Sequence, residues 1–200
     1  MNWVTSIRIS QVDFNTSISF KNFRLSANID FSVGGQIVSY TNMWGSSSGI
    51  LDKTAELNDR GVNVREPVSK GGGIHMTGVD QNGNKVDTYV NAETILYPQL
   101  TRVWEEWVYD RTYVKLREVS LSYVFPSQTL KKLNIGLSRA SVAINASNPW
   151  LIYSACPNVD VSEIGMGYFE GGNAAATRSI GFTVNLAFLN HKTKNHYEIY

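Results

Sequence analysis

The segment Tyr113–Phe125 constrains the fold of this 200-residue chain more than any other stretch. From Glu118 onward, apolar and polar side chains alternate at every second position, which predicts a long β-strand with one apolar and one polar face. The apolar positions are Val119, Leu121, Tyr123 and Phe125. Such a strand must place its apolar face against a protein core or against lipid, and that choice decides the fold class.

The same two-faced pattern recurs in four further segments. They are residues 12–20, 23–33, 140–147 and 177–188. Lys21–Asn22 suits a two-residue hairpin turn between segments 12–20 and 23–33. Asn148–Pro149 predicts the end of segment 140–147. Residues 3–9 alternate less regularly and predict an irregular lead-in strand. Together with the Tyr, Ser and Asn usage, these segments predict an all-β chain.

Regular alternation is lost over residues 34–110 and 150–176. Within the first stretch, residues 92–107 predict a helix interrupted at Pro98, whose apolar side chains would pack the surrounding loop. Residues 127–133 predict a short helical turn after Pro126. The remainder of both stretches reads as loop, with turn signals at Gly71–Gly73 and Asn82–Asn84.

Composition excludes several classes of protein. The formal net charge is +1, which gives no reason to expect binding to nucleic acid. The single cysteine, Cys156, excludes an internal disulfide framework. The sequence contains no apolar run of the roughly 18 residues that a membrane-spanning helix needs. The N-terminus also lacks the charged and apolar regions of a signal peptide.

The connections between the predicted strands alternate in length. Residues 21–22 and 126–135 are short connections, whereas residues 34–112 and 149–176 are long. Outer-membrane β-barrels show this alternation, with short periplasmic turns and long extracellular loops. The pattern therefore predicts an antiparallel transmembrane β-barrel fragment with long extracellular loops.

Outward aromatic residues support the same assignment. Four of the five strands carry one at the predicted periplasmic end, namely Phe20, Phe23, Tyr123 with Phe125, and Phe188. We interpret them as a membrane girdle. Because the smallest such barrels have about 8 strands, five strands predict part of a larger barrel. The alternative is a secreted or surface all-β sandwich that packs its apolar faces together and binds a glycan with its loops.

Several segments resemble one protein family. Residues 113–123 with Phe125–Pro126, residues 130–133 and residues 142–148 resemble the C-terminal barrel region of the SusC/RagA family of TonB-linked outer-membrane transporters, or TonB-dependent receptors. Residues 23–35 and 171–188 resemble flanking segments of the same family, so the similarity covers most of residues 12–188.

This resemblance implies the last strands of a barrel of about 22 strands in the cell outer membrane of Bacteroidetes-type bacteria. Such proteins import oligosaccharides or peptides for nutrient uptake. They work with a SusD-like surface lipoprotein and with a TonB complex that contacts their N-terminal region. The resemblance implies no cofactor.

The chain departs from the family pattern in three ways. It carries neither plug domain nor TonB box, so transport by this chain alone is not expected. Residues 1–188 read as the barrel part, and residues 189–200 as a polar tail that extends beyond the usual terminal aromatic. Ala175 and Ala176 stand where the family commonly has proline.

Two sets of residues are candidates for contact with a transported substrate. Polar residues expected to face a hydrated lumen are Asn15, Asn28, Asp30, Glu118, Ser120 and Asn145. Exposed loop aromatics expected to stack on substrate or pack against a lid protein are Tyr40, Trp44, Trp150, Tyr153, Tyr168 and Phe169. The alternatives are a generic wall role for the first set and loop anchoring for the second.

The sequence predicts neither a catalytic group nor a metal site, so the chain is not expected to be an enzyme. His75 lies in a Gly-rich loop, and His191 and His196 are five residues apart with Lys192 and Lys194 between them, which makes a poor metal site. Glu105 and Glu106 are adjacent on a predicted helix and point apart. Cys156 has no histidine partner at a suggestive spacing.

Overall fold

The computed structural model describes residues 10–165, 167–171, 174 and 176–188. The predicted lead-in strand and polar tail lie outside these residues. The strands are β1 (Ser10–Phe20), β2 (Phe23–Val33), β3 (Gln36–Ser39), β4 (Ile74–Val79), β5 (Lys85–Val90), β6 (Val108–Asp110), β7 (Tyr113–Val124), β8 (Leu137–Ser154), β9 (Phe169–Glu170) and β10 (Ser179–Phe188).

The α-helices are α1 (Tyr40–Ser47), α2 (Tyr97–Leu100) and α3 (Ser127–Leu133). Shorter helical turns span Asp52–Ala55, Val68–Lys70, Ala92–Leu96, Trp104–Trp107 and Val161–Glu163. Over the part of the chain that the structure describes, no helix is both long and apolar enough to cross a membrane.

The described residues divide into two compact units. We call residues 12–31, 114–152 and 176–188 the sheet unit. The loop unit comprises residues 10–11, residues 32–113 and the described part of 153–174. The prediction that 34–112 and 149–176 are irregular loops is therefore wrong in part, because most of these residues belong to a folded unit.

The long strands form one five-stranded sheet in the order β1-β2-β7-β8-β10. Each long strand pairs with the long strand that precedes it in the chain, so the sheet is a meander. The final pair is antiparallel and brings Val184 opposite Val142. The prediction of a mainly β chain with antiparallel sheets is confirmed. A meander is the order of an up-and-down barrel and differs from the Greek-key order of immunoglobulin-like sandwiches.

The predicted hairpin turn at Lys21–Asn22 is confirmed. Lys21 has a φ of 52°, the left-handed value that a tight hairpin turn of this kind requires at its first position. The Asn22 side-chain amide donates to the carbonyl of Val124 at 2.7 Å, and the Val124 N–H donates to the carbonyl of Asn22 at 2.9 Å. These two bonds fix the turn to the end of β7.

The two faces of the sheet differ sharply in chemistry. In the β8–β10 register, Phe182 lies opposite Ile144 on the apolar face, and Asn185 lies opposite Ser141 on the polar face. The large apolar side chains of β10 are not covered, since Phe182 is 81% exposed and Val184 is 63% exposed, whereas Ala140 of β8 is buried. The alternation therefore produces an apolar surface and not a buried core.

Strand β8 is longer than the sequence predicts. The strand was expected to stop at Asn148–Pro149, but it continues to Ser154. Asn148 takes a left-handed φ of 49°, which asparagine tolerates better than most residues. In the described register β8 pairs with β10 as far as Ser147, so Pro149, which has no N–H, lies beyond that ladder.

The loop unit is organised around the short strand β3. This strand pairs antiparallel with β6 and parallel with β9, so it joins segments from both long stretches. Its main apolar cluster contains Val38, Met43 and Trp107, and the Trp107 indole donates to the carbonyl of Leu100 at 2.8 Å. A second cluster contains Val64, Ala92 and Tyr97.

The predicted helix over residues 92–107 is confirmed only in part. It consists of a π-helical turn, α2 and a 3₁₀ turn, and the helical run breaks after Leu100. Pro98 does not mark the break, because the chain stays helical through it and continues to Leu100. The helical turn predicted at 127–133 is confirmed as α3.

The exposed apolar face leads to a prediction about solubility. We expect the chain to aggregate in buffer and to become monodisperse in detergent micelles, because water contacts a contiguous apolar surface. Light scattering coupled to size-exclusion chromatography measures both states. The substitutions Ile180→Ser and Phe182→Ser should reduce aggregation. The control substitution Asn185→Ser, on the polar face of the same strand, should leave aggregation unchanged. A monodisperse monomer in buffer with a cooperative thermal transition would contradict this prediction.

Candidate functional site

The polar face of the sheet unit carries a groove with a volume of about 570 Å³. It brings together five of the six residues that were predicted to face a lumen. They are Asn15 of β1, Asn28 of β2, Glu118 and Ser120 of β7, and Asn145 of β8. Period-two alternation on four neighbouring strands puts these side chains on one face. The groove is therefore a continuous surface of amide, hydroxyl and carboxylate groups.

Hydrogen bonds between strands order this polar face. The Asn28 side-chain amide donates to Asn15 Oδ1 at 2.7 Å. The Ser120 hydroxyl donates to Asn145 Oδ1 at 2.6 Å, and the amide of Asn145 donates onward to the Thr183 hydroxyl at 2.9 Å. The second series links three strands, and cross-strand pairs of this kind stabilise a sheet.

Asp30 does not line the groove. Its side chain is buried, and the Arg117 guanidinium donates from Nε and from a terminal nitrogen to Asp30 Oδ2, at 3.0 and 2.9 Å. Arg117 also reaches Asn148 Oδ1 at 3.4 Å. Sequence reasoning missed Arg117, because its partners lie on the two neighbouring strands, far away in the chain.

The aromatic residues predicted to form a girdle lie at one end of the sheet. Phe20, Phe23 and Phe188 are exposed, and Tyr123 and Phe125 are half-buried. The rings of Phe23 and Tyr123 are 4.7 Å apart, and those of Tyr123 and Phe125 are 5.1 Å apart. Antiparallel pairing explains this grouping, since the end of one strand meets the start of the next.

Three aromatic side chains of the loop unit form a cluster. Tyr40 stacks on Phe169 with ring centres 5.3 Å apart, and Trp104 meets Phe169 edge-on at 5.6 Å. Trp104 is 47% exposed and Phe169 is 45% exposed, so the cluster keeps accessible ring surface. The sequence pattern assigned Trp104 to internal loop packing and did not single it out as a surface residue.

The remaining predicted loop aromatics have different positions. Trp44 lies in α1 and is exposed, and Tyr168 is exposed immediately before β9. Trp150 and Tyr153 were expected in a loop, but both are exposed residues of β8, because that strand continues past Pro149. Of the six aromatics, Tyr40 and Phe169 are in ring contact with each other.

Glu170 fixes the segment that carries Phe169. Its buried carboxylate accepts hydrogen bonds from the Ser39 hydroxyl at 2.7 Å, the Thr41 N–H at 3.2 Å and the Thr41 hydroxyl at 2.5 Å. Ser39 also caps α1 by accepting a bond from the Asn42 N–H. These hydrogen bonds to the Glu170 carboxylate hold the neighbouring Phe169, and so the aromatic cluster, in position.

Cys156 is buried in the loop unit beside the Asn42 amide, whose nitrogen lies 3.5 Å from Sγ. Burial raises the pKa of the Cys156 thiol to about 11. Because the thiolate is the nucleophilic form, this thiol is unreactive at neutral pH.

Among the residues described, no group of three or more His, Cys, Asp or Glu side chains is placed to hold a metal ion. His191 and His196 lie outside the described residues. Glu105 and Glu106 belong to the 3₁₀ turn Trp104–Trp107, and both are exposed. His75 has two carboxylate partners, Asp59 and Asp87, which its setting in a Gly-rich loop did not predict.

Comparison with known proteins identifies similar chains. No family model matches. The chain is 25% identical over 168 residues to TonB-dependent receptor P3 of Formosa agariphila, a match that covers 84% of this chain and 14% of the relative. The chain therefore spans about a seventh of that relative's length.

Solved structures provide a second comparison. The chain aligns with the RagAB peptide importer in its closed-closed state at a TM-score of 0.57 and 14% identity, over 88% of this chain and 17% of that one. The open-open state of the same importer gives a TM-score of 0.50 at 12% identity, over 89% and 17%. These likenesses establish a shared fold. The predicted resemblance to TonB-dependent outer-membrane proteins, and with it the localisation in the cell outer membrane, is confirmed.

Proposed function

We propose that this chain forms the last strands of the barrel of a SusC/RagA-type TonB-dependent transporter. In this proposal the complete barrel imports peptides or oligosaccharides through the outer membrane. A SusD-like lipoprotein acts on the extracellular side, and a TonB complex acts through an N-terminal region. The similarity to a TonB-dependent receptor and the shared fold with a peptide importer support the assignment.

The exposed apolar face of the sheet is the observation that carries the proposal. Ile180, Phe182 and Val184 follow one another on this face of β10, and each is more than half exposed. A lipid bilayer can cover such a surface, whereas soluble proteins rarely leave an apolar patch of this kind exposed to water. The long strands have at least 10 residues, enough to cross the roughly 25 Å apolar band of an outer membrane when tilted.

The sandwich alternative requires that a second sheet cover the same apolar face. In the part of the chain that the structure describes, that face stays exposed, and the long strands form a meander. Both observations favour the barrel, because a sandwich buries the inner faces of its sheets against each other.

In the barrel, the polar groove of the sheet unit would face the lumen. Its hydrogen-bonding groups suit a hydrated passage that contacts peptide amides or sugar hydroxyls without binding one of them tightly. Asn28 and Asn145 are bonded to neighbouring side chains, which holds their amides in fixed orientations. We assign these residues to the wall of the pathway. The process is binding and gated passage and requires no bond chemistry.

We assign the loop unit to the extracellular side. Its aromatic cluster, Tyr40, Trp104 and Phe169, offers accessible ring faces to an incoming substrate or to the lipoprotein partner. Aromatic side chains supply large contact areas at low conformational cost, which suits either role.

The lipid assignment predicts different environments for neighbouring residues of β10. A polarity-sensitive fluorophore on Val184→Cys should be quenched by spin-labelled lipid when the chain is part of its full-length barrel in vesicles. The matched variant Asn185→Cys should escape quenching, because its side chain points into the lumen. Buried Cys156 should remain unlabelled in both variants. Quenching at neither position would rule out a lipid-facing β10, and quenching only at Asn185→Cys would reverse the two faces.

The loop assignment predicts sidedness. On intact cells that express the full-length barrel, a membrane-impermeant maleimide should label Asn82→Cys and Gly165→Cys, one from each long stretch. The Gly165 position is open, since an added Cβ meets no atom within 4 Å. The matched turn variants Asn22→Cys and Thr129→Cys should react only after the outer membrane is permeabilised. The reverse labelling pattern would overturn the topology.

A further inference from the structure

His75 lies between two carboxylates in the loop unit. Its Nδ1 is 2.9 Å from Asp59 Oδ2, and its Nε2 is 2.7 Å from Asp87 Oδ1. His75 belongs to β4 and Asp87 to β5, whereas Asp59 lies in a turn of the preceding segment. The imidazole therefore connects the β4–β5 hairpin to that turn.

The number of protons on the ring decides whether both contacts are hydrogen bonds. A neutral imidazole carries one N–H and donates to only one carboxylate, whereas the imidazolium carries two and donates to both. The imidazolium is therefore the form in which both contacts are hydrogen bonds to ionised carboxylates. The two carboxylates lie at opposite edges of the ring, which prevents them and the imidazole from converging on one metal ion.

Neighbouring groups reinforce this arrangement. The Tyr89 ring lies parallel to the His75 ring with centres 4.6 Å apart, and its hydroxyl donates to Asp59 Oδ1 at 2.5 Å. The Arg60 guanidinium lies over the Tyr89 ring, with its central carbon 3.3 Å from the ring centre. Two further charged residues, Lys53 and Glu56, line the same cavity of about 320 Å³ as His75.

We propose that His75 is a proton-operated latch, which holds the β4–β5 hairpin to the Asp59–Arg60 turn when its ring is doubly protonated and loosens that contact when the ring loses a proton. The latch is independent of the function proposed above, because it rests on contacts within the loop unit alone. In a loop at the cell surface it would make the hairpin respond to the pH of the medium.

The direction of the pH effect follows from the pKa shifts of His75 and Asp59. The hydrogen bond to Asp87 is the largest cause that raises the pKa of His75, and the bond to Asp59 adds to it. The hydrogen bond from Tyr89 is the largest cause that lowers the pKa of Asp59.

The stability contributed by His75 is fully present below its ordinary pKa and is lost as pH rises through the raised value. The contribution of Asp59 is lost at the acid end, as pH falls through its lowered pKa. The latch is therefore closed between these two limits.

Exposure makes the latch sensitive to salt. The side chains of Asp59 and Asp87 are 50% and 79% exposed, and that of His75 is 34% exposed. Screening by dissolved ions weakens attraction between such groups, so added NaCl should lower the pKa of His75 toward its ordinary value. A hairpin held only by apolar packing would not respond in this way.

The test is a histidine NMR titration of the full chain, ¹³C- and ¹⁵N-labelled at histidine, in detergent micelles. His75→Asn identifies the His75 signals by their disappearance. We expect His75 to titrate above its ordinary pKa with both ring nitrogens protonated below the midpoint. Asp59→Asn and Asp87→Asn should each lower that midpoint, whereas Asp52→Asn, which removes an exposed carboxylate of the same unit, should leave it unchanged.

Hydrogen exchange gives a second readout that needs no variant. After correction for intrinsic rates, amides of residues 74–90 should lose protection as pH rises through the His75 midpoint. Amides of β10 should show no such step. An unshifted His75 midpoint in the unmodified chain, or an unchanged midpoint in both aspartate variants, would overturn the proposal. So would a hairpin whose protection is the same on both sides of the midpoint.

Discussion

Coverage of the apolar sheet face is the constraint on which the rest of the structure depends. Burying a Phe, Val or Leu side chain is worth about 1.5–3 kcal/mol relative to exposure in water. On this sheet the apolar side chains lie on the outside, with Phe182 81% exposed. The folded sheet therefore recovers this energy only when the apolar face is covered, and in the proposed barrel the bilayer would cover it.

The apolar face is largely exposed and forms no core, so specific contacts between the strands lie on the polar face. Asn15 with Asn28, and Ser120 with Asn145, fix neighbouring strands through amide and hydroxyl bonds. The ion pair between buried Asp30 and half-buried Arg117 adds a contact between β2 and β7. A slip of one residue would turn these groups toward the apolar side and separate the ion pair, so the polar face selects the register.

Sequence patterning recovers the sheet unit well, because alternation is a local signal that each long strand carries by itself. The bounds of β2 and the hairpin turn at Lys21 follow from it directly. The end of β8 does not, because Asn148–Pro149 is a local turn signal, whereas the strand continues to Ser154. The loop unit is largely invisible to patterning: β3 has only four residues, and its partners β6 and β9 are far away in the chain.

The candidate site residues likewise fall into those that the sequence pattern predicts and those that it does not. Polar positions on long strands, such as Asn28 and Glu118, can be assigned to one face by counting residues. The Tyr40–Phe169 stack and the His75 contacts arise from chain segments that meet only after folding. Arg117 was missed for that reason, and Trp104 was assigned to packing because helical spacing is the only signal that it carries.

The two long stretches depend on each other for their structure. Glu170 comes from the second stretch, and its donors, Ser39 and Thr41, come from the first. A buried carboxylate without donors is costly, so the donors of the first stretch stabilise the Glu170 segment in this position. The Arg111 guanidinium likewise donates to the carbonyls of Ile164 and Gly165, at 2.9 and 3.1 Å. The loops are therefore one structural element made from two chain segments, and a substitution in either segment acts on the aromatic cluster that both of them build.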